Sequence, residues 1–373
     1  MLEEKTKKSL TLYLHGRPSA HPVHSAFAKA ITQEFRYVDE PLRWQDKNRG
    51  TIFNLFAWFT NALLFKNKRK YDVLLVDNLH LTYPIMKMLG LLTKRQKTIV
   101  HLGSHTLYFM YAGKFSTFNL LLHKLALRNY DALICEGKMA EQLSKILLKE
   151  KCPPVYTTFL GPQKERTSKL KTLVPDFDKN NILVIANGPA NFRQYYKGLD
   201  IMIESFKQAF ESNNKIQLYI IGNWGLDTQK RLLQTFPKGA ASAIHFVGLQ
   251  NNLESYLSYF SLSSLCLHCS RGDAFPTSTI ETMAAGIPTM VSEWTGTKEI
   301  VEKVDVKLIV PLNTSQIAER IIWYFNLSKQ EKQTLSDKSR IATLNYNEED
   351  ALLCYQKTFE KICADLKISD VQR

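Results

Sequence analysis

Two acidic residues eight positions apart, Asp273 and Glu281, bracket the run Asp273-Ala-Phe275-Pro276-Thr277-Ser278-Thr-Ile-Glu281. Carboxylates accept hydrogen bonds from hydroxyl groups, so one in a loop and one on the first turn of the next helix suit a polyhydroxylated ligand. Upstream, Arg193 and Lys197 precede Gly198. A helix beginning near Ser278 adds unpaired N–H groups and a positive dipole end, which favour a phosphate at that terminus. Ser278-Thr-Ile-Glu281 also has the S-x-x-E form of a capping box, a purely structural alternative for Glu281.

These residues are placed by short apolar runs that alternate with helix-length patterns. Strands are expected at 10–14, 71–77, 97–102 and 131–135, then at 182–186, 216–221, 243–247, 264–269 and 289–292. Helices are expected at 82–92, 118–129 and 138–149, then at 199–211, 252–260 and 278–285, with a helical stripe at 348–366. Strand and helix in alternation imply two Rossmann-like α/β domains with parallel sheets facing a cleft. The polar stretch 166–181, which contains Pro175, has no sustained period and reads as a linker. The boundaries expected are a first domain at 1–165, a linker at 166–181, a second domain at 182–346, and at 347–373 a terminal helix and tail that packs back on the domains. Ligands of open α/β sheets bind beyond the carboxyl ends of the strands, where Asp273 and Lys197 fall.

The segment from Asp273 to Glu281, followed by Thr282-Met-Ala-Ala-Gly286-Ile-Pro288, resembles the donor-site signature of the retaining family-four glycosyltransferases of GT-B fold. It departs from the family pattern in having Asp at 273 rather than Glu, Ala at 274 rather than Gly, and Thr at 282 rather than Ala. The likeness extends over most of 182–302, including Lys197-Gly198-Leu-Asp200, Leu218-Tyr-Ile-Ile-Gly222 and His245-Phe-Val247-Gly248.

The resemblance implies a nucleotide-diphosphate sugar as donor, Arg193 and Lys197 on its diphosphate, Asp273 on the sugar and Glu281 on the ribose. Phe275, Pro276, Thr277 and Ser278 complete the donor site, and Val247 and Gly248 receive the base through their backbone. The first half is more divergent. Gly16 after the first strand suits a close approach of the donor diphosphate. A histidine contacting the donor sugar is expected near the end of the 97–102 strand, where His101 and His105 are both open choices. No cofactor or metal is expected. Cys266-Leu-His-Cys269 has no second Cys/His pair to complete a zinc site, and Asp176-Phe-Asp178 lies in the expected linker.

Charge divides unevenly. Residues 1–180 hold 29 Lys+Arg and 15 Asp+Glu, and residues 181–373 hold 20 of each, so the whole excess of +14 lies in the first half. That half is expected to meet an anionic partner. The aromatic run 51–65 is too short to span a bilayer, and with Lys66, Lys68, Arg69 and Lys70 after it suits either an anionic membrane interface or an ordinary buried helix with a solvated charged end. The acceptor expected is a lipid-linked or cell-envelope glycan, and no nucleic acid is expected because no recognised binding motif accompanies the charge. Six cysteines in 373 residues and a charged, signal-free N-terminus point to the cytoplasm, with peripheral attachment to the inner membrane face. Other readings are an epimerase or hydrolase of the same fold, and a basic membrane- or nucleic-acid-binding protein.

Overall fold

Strands buried at every position require a sheet covered on both faces, and Val73–Asp77 and Ala132–Glu136 are of this kind. The computed structural model describes residues 10–15, 22–32, 34–37, 70–77, 81–103, 105–188, 191–234, 236 and 238–368. The chain divides into two units, Met1–Phe159 with Ala351–Arg373, and Leu160–Asp350.

Unit 1 runs β1 (Thr11–His15), α1 (Pro22–Ile31), β2 (Glu34–Tyr37), β3 (Val73–Asp77), α2 (Thr82–Met88), β4 (Lys97–Leu102), α3 (Thr106–Tyr111), α4 (Thr117–Arg128), β5 (Ala132–Glu136), α5 (Gly137–Leu148) and β6 (Val155–Thr158). Its parallel sheet has the order β2-β1-β3-β4-β5-β6.

Unit 2 runs α6 (Lys164–Lys171), β7 (Asn181–Ile185), α7 (Asn191–Lys197), α8 (Leu199–Ser212), β8 (Gln217–Ile221), α9 (Leu226–Leu233), α10 (Lys238–Ser242), β9 (Ile244–Gly248), α11 (Leu253–Ser261) and β10 (Leu265–His268). It continues with α12 (Thr277–Ala284), β11 (Thr289–Ser292), α13 (Lys298–Val301), β12 (Ile309–Val310), α14 (Thr314–Phe325) and α15 (Lys329–Ala342). Its sheet, again parallel, has the order β12-β11-β10-β7-β8-β9.

The last helix, α16 (Glu348–Asp365), returns to unit 1 from Ala351 onward. Its stripe of Tyr355, Phe359, Ile362 and Cys363 is buried. The Tyr355 ring stacks on Phe27 of α1 at 4.2 Å, and Gln356 Nε2 donates to the Ala30 carbonyl. The C-terminal segment thus completes the core of the N-terminal unit.

The expected strands and helices lie within a few residues of their places. The stretch 166–181 differs from the linker reading: it belongs to unit 2 and holds most of α6. Leu170 and Phe177 explain this, since both are buried, Leu170 in a cluster with Leu183, Phe260 and Ile287. Among the described residues no helix is long and apolar enough to cross a membrane. The aromatic run 51–65 and the cations Lys66, Lys68 and Arg69 lie outside the described residues, as does Gly16.

Candidate active site

In the sheet of unit 2, β7 and β10 are neighbours, and the chain builds outward from them in opposite directions. Such a switch point leaves a crevice beyond the strand ends. Lys197 ends α7, the helix after β7, and Asp273 lies in the loop after β10. Lys197 Nζ meets Asp273 Oδ2 at 2.5 Å, and His268 Nε2, at the end of β10, meets the same oxygen at 3.0 Å. The Lys197 and Asp273 side chains are only 16% and 15% exposed.

Burial by itself would raise the Asp273 carboxyl, but the Lys197 ammonium and then the His268 hydrogen bond outweigh it and hold it well below the usual carboxylate range. Burial likewise works against the Lys197 ammonium, and Asp273 reverses the effect, raising its pKa. Burial depresses the His268 pKa despite the carboxylate beside it. A neutral imidazole donating from Nε2 to an ionised Asp273 satisfies all three groups.

The backbone around the pair is tightly determined. Gly198 has φ +69°, and a Cβ there would stand 2.2 Å from the Cys269 carbonyl oxygen, so only glycine lets the turn after Lys197 lie against the β10 loop. Arg271 fastens the same two segments. Its N–H donates to the Tyr196 carbonyl, its Nη1 to the Tyr195 carbonyl, and its guanidinium grips Asp200 with two bonds of 2.8 and 2.7 Å. On the other side Ser270 Oγ lies 2.9 Å from Thr295 Oγ1 and accepts from the Asp273 N–H. Gly296 donates to the Asp273 carbonyl and packs where any Cβ would strike the Ala274 carbonyl oxygen at 1.4 Å.

Helix α12 starts with Pro276 as its N-cap, and the N–H groups of Thr277 and Ser278 fall in a first turn that has no intrahelical acceptors for them. The capping-box alternative is therefore corrected: Ser278 lies inside the helix and Pro276 makes no side-chain cap. Glu281 is 3% exposed; its Oε1 accepts from Arg166 Nη1 at 3.0 Å and its Oε2 from the Tyr256 hydroxyl at 2.5 Å. A carboxylate offers about four acceptor positions, so these two bonds orient it and leave capacity for another hydroxyl. Phe275 is buried and stacks on Tyr346 at 6.3 Å, so its side chain anchors the loop and only its backbone can meet a ligand. The Thr at 282 is absorbed in the core, its hydroxyl donating to the Thr279 carbonyl and lying 2.8 Å from Thr289 Oγ1. At the far end of α12, Arg340 donates to the Ala284 and Ala285 carbonyls, a cation on the negative end of the dipole.

Arg193 lies one turn before Lys197 on α7 and its charge is felt by Lys197. Val247 and Gly248 close β9, where the Val247 carbonyl accepts from Gln250 Nε2 and the Gly248 carbonyl from the Gly222 N–H. Hence Asp273, Lys197, Arg193, Phe275, Pro276, Thr277, Ser278, Glu281, Val247 and Gly248 all belong to unit 2, on strand ends of one sheet or on the loops and helices that directly follow its strands.

The two histidines stand in unit 1. His101 on β4 has no exposed surface; its Nε2 lies 3.2 Å from Glu136 Oε1 and its ring 5.4 Å from that of Tyr355. His24 joins this cluster, 2.7 Å from Asp77 and 3.3 Å from Glu136. Burial opposes protonation of His24, but the Asp77 carboxylate outweighs it and raises its pKa well above the usual imidazole value. His105 precedes α3, partly exposed, with its ring edge-on to Phe109 at 4.7 Å. Between the two, His105 is the one with surface to offer a ligand.

Asp176 and Asp178 form a turn, Asp176 Oδ1 accepting from the Asp178 N–H and Asp178 pairing with Lys329 at 2.6 Å. Cys266 and Cys269 are buried free thiols. Among the described residues no group of three or more His, Cys, Asp or Glu is arranged to hold a metal ion. His268, Arg166, Tyr256 and Arg271 escaped the reading of the sequence. Of these His268, at the carboxyl end of β10, and Arg271, in the loop that follows it, carried a positional signal.

Residues 180–326 match the family model described as "Glycosyl transferases group 1". Unit 2 is a group 1 glycosyltransferase domain. No curated protein matches the chain by sequence. Among solved structures, an α,α-trehalose-phosphate synthase (UDP-forming) from Burkholderia xenovorans in complex with glucose-6-phosphate aligns with a TM-score of 0.66 and 12% identity, over 96% of this chain and 100% of that one. Sucrose-phosphate synthase from Thermosynechococcus elongatus aligns at 0.71 and 16% identity, over 95% and 100%. The E. coli trehalose-6-phosphate structure bound with UDP-2-fluoro glucose aligns at 0.67 and 12% identity, over 96% and 99%. The fold of this glycosyltransferase is GT-B, with two parallel-sheet α/β units.

Proposed function

We propose that this glycosyltransferase moves a hexosyl group from a nucleotide-diphosphate sugar to a hydroxyl of a lipid-linked or cell-envelope glycan, with retention at the anomeric carbon and without a metal ion. The observation that carries the reading is the Lys197–Asp273–His268 cluster at the switch point of unit 2, beside the open first turn of α12. In this reading Lys197 and Arg193 face the diphosphate, with the N–H groups of Thr277 and Ser278 at the helix terminus. Asp273 accepts from the sugar hydroxyls, Glu281 from the ribose, and Val247 and Gly248 meet the base. Of the two histidines in unit 1, His105 rather than His101 has the exposed surface to contact a ligand.

As the anomeric C–O bond breaks, its electron pair stays on the departing diphosphate, where Lys197 and Arg193 stabilise it. The acceptor hydroxyl attacks from the same face and passes its proton to that diphosphate. Uridine diphosphate sugars are the first donors to try, because one structural neighbour is UDP-forming and another holds a UDP-sugar analogue. The basic first half and the composition of residues 51–70 support a working position at the inner face of an anionic membrane.

The test is product formation from a panel of nucleotide sugars with and without lipid-linked acceptors, with the anomeric configuration read by NMR. Expected are acceptor-dependent release of nucleoside diphosphate and a retained configuration. Turnover independent of acceptor points instead to hydrolysis or epimerisation. A Lys197→Ala enzyme working at wild-type rate overturns the assignment of the leaving-group cation.

A further inference from the structure

In a folded unit an amphipathic helix turns its apolar face to the core. Helix α4 does so only with Ala126 and Leu127. Phe118, Leu121 and Leu125 stand at i, i+3 and i+7, hence on one face, and are 73%, 62% and 42% exposed. Apolar exposure continues on the neighbouring helices. Helix α2 is held to the end of α4 by Lys87, whose Nζ donates to the Asn129 carbonyl, and it ends at exposed Met88 and Leu89. Helix α5, reached by Arg128 Nη2 at the Leu148 carbonyl, exposes Ile146.

Single exposed apolar side chains are ordinary on a protein surface. A row of three on one helix is a contiguous patch, and such patches mark interaction sites. The charge around it selects the partner. Residues 81–130 hold seven Lys+Arg and no Asp or Glu, although Lys87 is paired with Asp131 at 3.3 Å, and on α5 Lys145 is paired with Glu141. Two copies of so basic a face repel each other, whereas an anionic lipid surface attracts both its cations and its apolar row.

We propose that α4 docks unit 1 on an anionic lipid bilayer, with Phe118, Leu121 and Leu125 in the boundary between acyl chains and headgroups and the surrounding Lys and Arg on lipid phosphates. This deepens the membrane reading above, on which it rests for its purpose, and it names residues other than 51–70. An enzyme held this way meets an acceptor whose lipid portion stays in the bilayer.

The experiment is flotation of the full chain with vesicles of phosphatidylcholine alone and of phosphatidylcholine and phosphatidylglycerol in equal parts. Wild type should float with the anionic vesicles only, less so as salt is raised. The Phe118→Gln/Leu121→Gln protein should bind about tenfold more weakly or worse, while its unit 2 keeps the wild-type thermal response to nucleoside diphosphates. As a second measurement, the added fluorescence of a Phe118→Trp protein should be quenched by brominated lipid.

Flotation of the double variant equal to wild type, or no quenching at position 118, overturns the proposal. So does light scattering that shows a wild-type dimer dispersed by the double variant. If neutralising Lys66, Lys68, Arg69 and Lys70 abolishes flotation while the α4 variant floats normally, membrane attachment stands and the α4 surface fails. If the α4 variant loses flotation but only soluble acceptors are glycosylated, the docking surface stands and the lipid-linked acceptor fails.

Discussion

Lys197 and Asp273 hold opposite charges where water scarcely reaches, and each keeps the other ionised. Removing one partner of such a pair leaves a buried charge, which costs about 3 kcal/mol or more. Lys197→Ala should therefore lower stability by about that amount in denaturant titration, and Lys197→Ala/Asp273→Asn should recover part of it. If Lys197 also stabilises the leaving diphosphate, kcat should fall by roughly 100- to 1000-fold in the single variant. A single variant of unchanged stability would show that the pair is not closed in solution.

His268 adds a pH dependence at the same oxygen. Its folded pKa lies below the unfolded value of about 6.5, so its contribution is complete above that pH and is lost as pH falls toward the folded value. Asp273, also depressed, keeps its own contribution until the pH drops below about 3.9. A His268→Gln protein should show a flatter Tm profile than wild type as pH falls below about 6.5, with a later, more acidic loss still present because Lys197 continues to hold the Asp273 pKa down. Parallel Tm profiles for the two proteins would contradict a buried neutral imidazole there.

At the scale of elements, the site depends on how α7, α8 and the β10 loop meet. Gly198→Ala places a methyl group on the Cys269 carbonyl in a left-handed backbone conformation. It should cost about 2 kcal/mol or more and displace Lys197, lowering activity together with stability. A chemical denaturation midpoint equal to wild type would refute the close packing of this turn.

Central elements were legible because their apolar runs are longer: β4 runs at 97–102, and β5 at 132–136 lies within a residue of its expected place. The edge strands β2, β6 and β12 have only four, four and two residues, too few for alternation to stand out. Helix α6 was hidden by its charged composition, KERTSKLK, in which only Thr167 and Leu170 are buried. With it went Arg166, whose partner Glu281 lies 115 residues away and cannot be paired from spacing. The candidate residues from Asp273 to Glu281 stand out in the sequence because they are contiguous; the side chains that hold them do not, since that shell is assembled by folding.

At the scale of the whole molecule, the chain's last helix belongs to its first unit. Tyr355 stacks on Phe27 inside the cluster of His24, Asp77, His101 and Glu136. Tyr355→Ala should destabilise unit 1 by about 3–5 kcal/mol. Calorimetry should show this as an earlier transition of unit 1, with the nucleotide response of unit 2 retained; simultaneous loss of both would mean that the units melt as one. Charge is also distributed by unit, with the excess in the half that carries α4 and a near-neutral half around the donor residues. The uneven charge was legible in the sequence, while the face that α4 exposes required the packing of α2, α4 and α5.

The most direct test of the donor site is a thermal-shift titration of the full chain with nucleoside diphosphates and nucleotide sugars, since a ligand that binds only the folded protein raises Tm by mass action. At least one nucleoside diphosphate should raise the wild-type Tm in a concentration-dependent way, and Lys197→Ala should abolish most of that rise. A wild-type Tm unmoved by every nucleotide, or a rise fully retained in Lys197→Ala, would contradict a donor diphosphate held at Lys197.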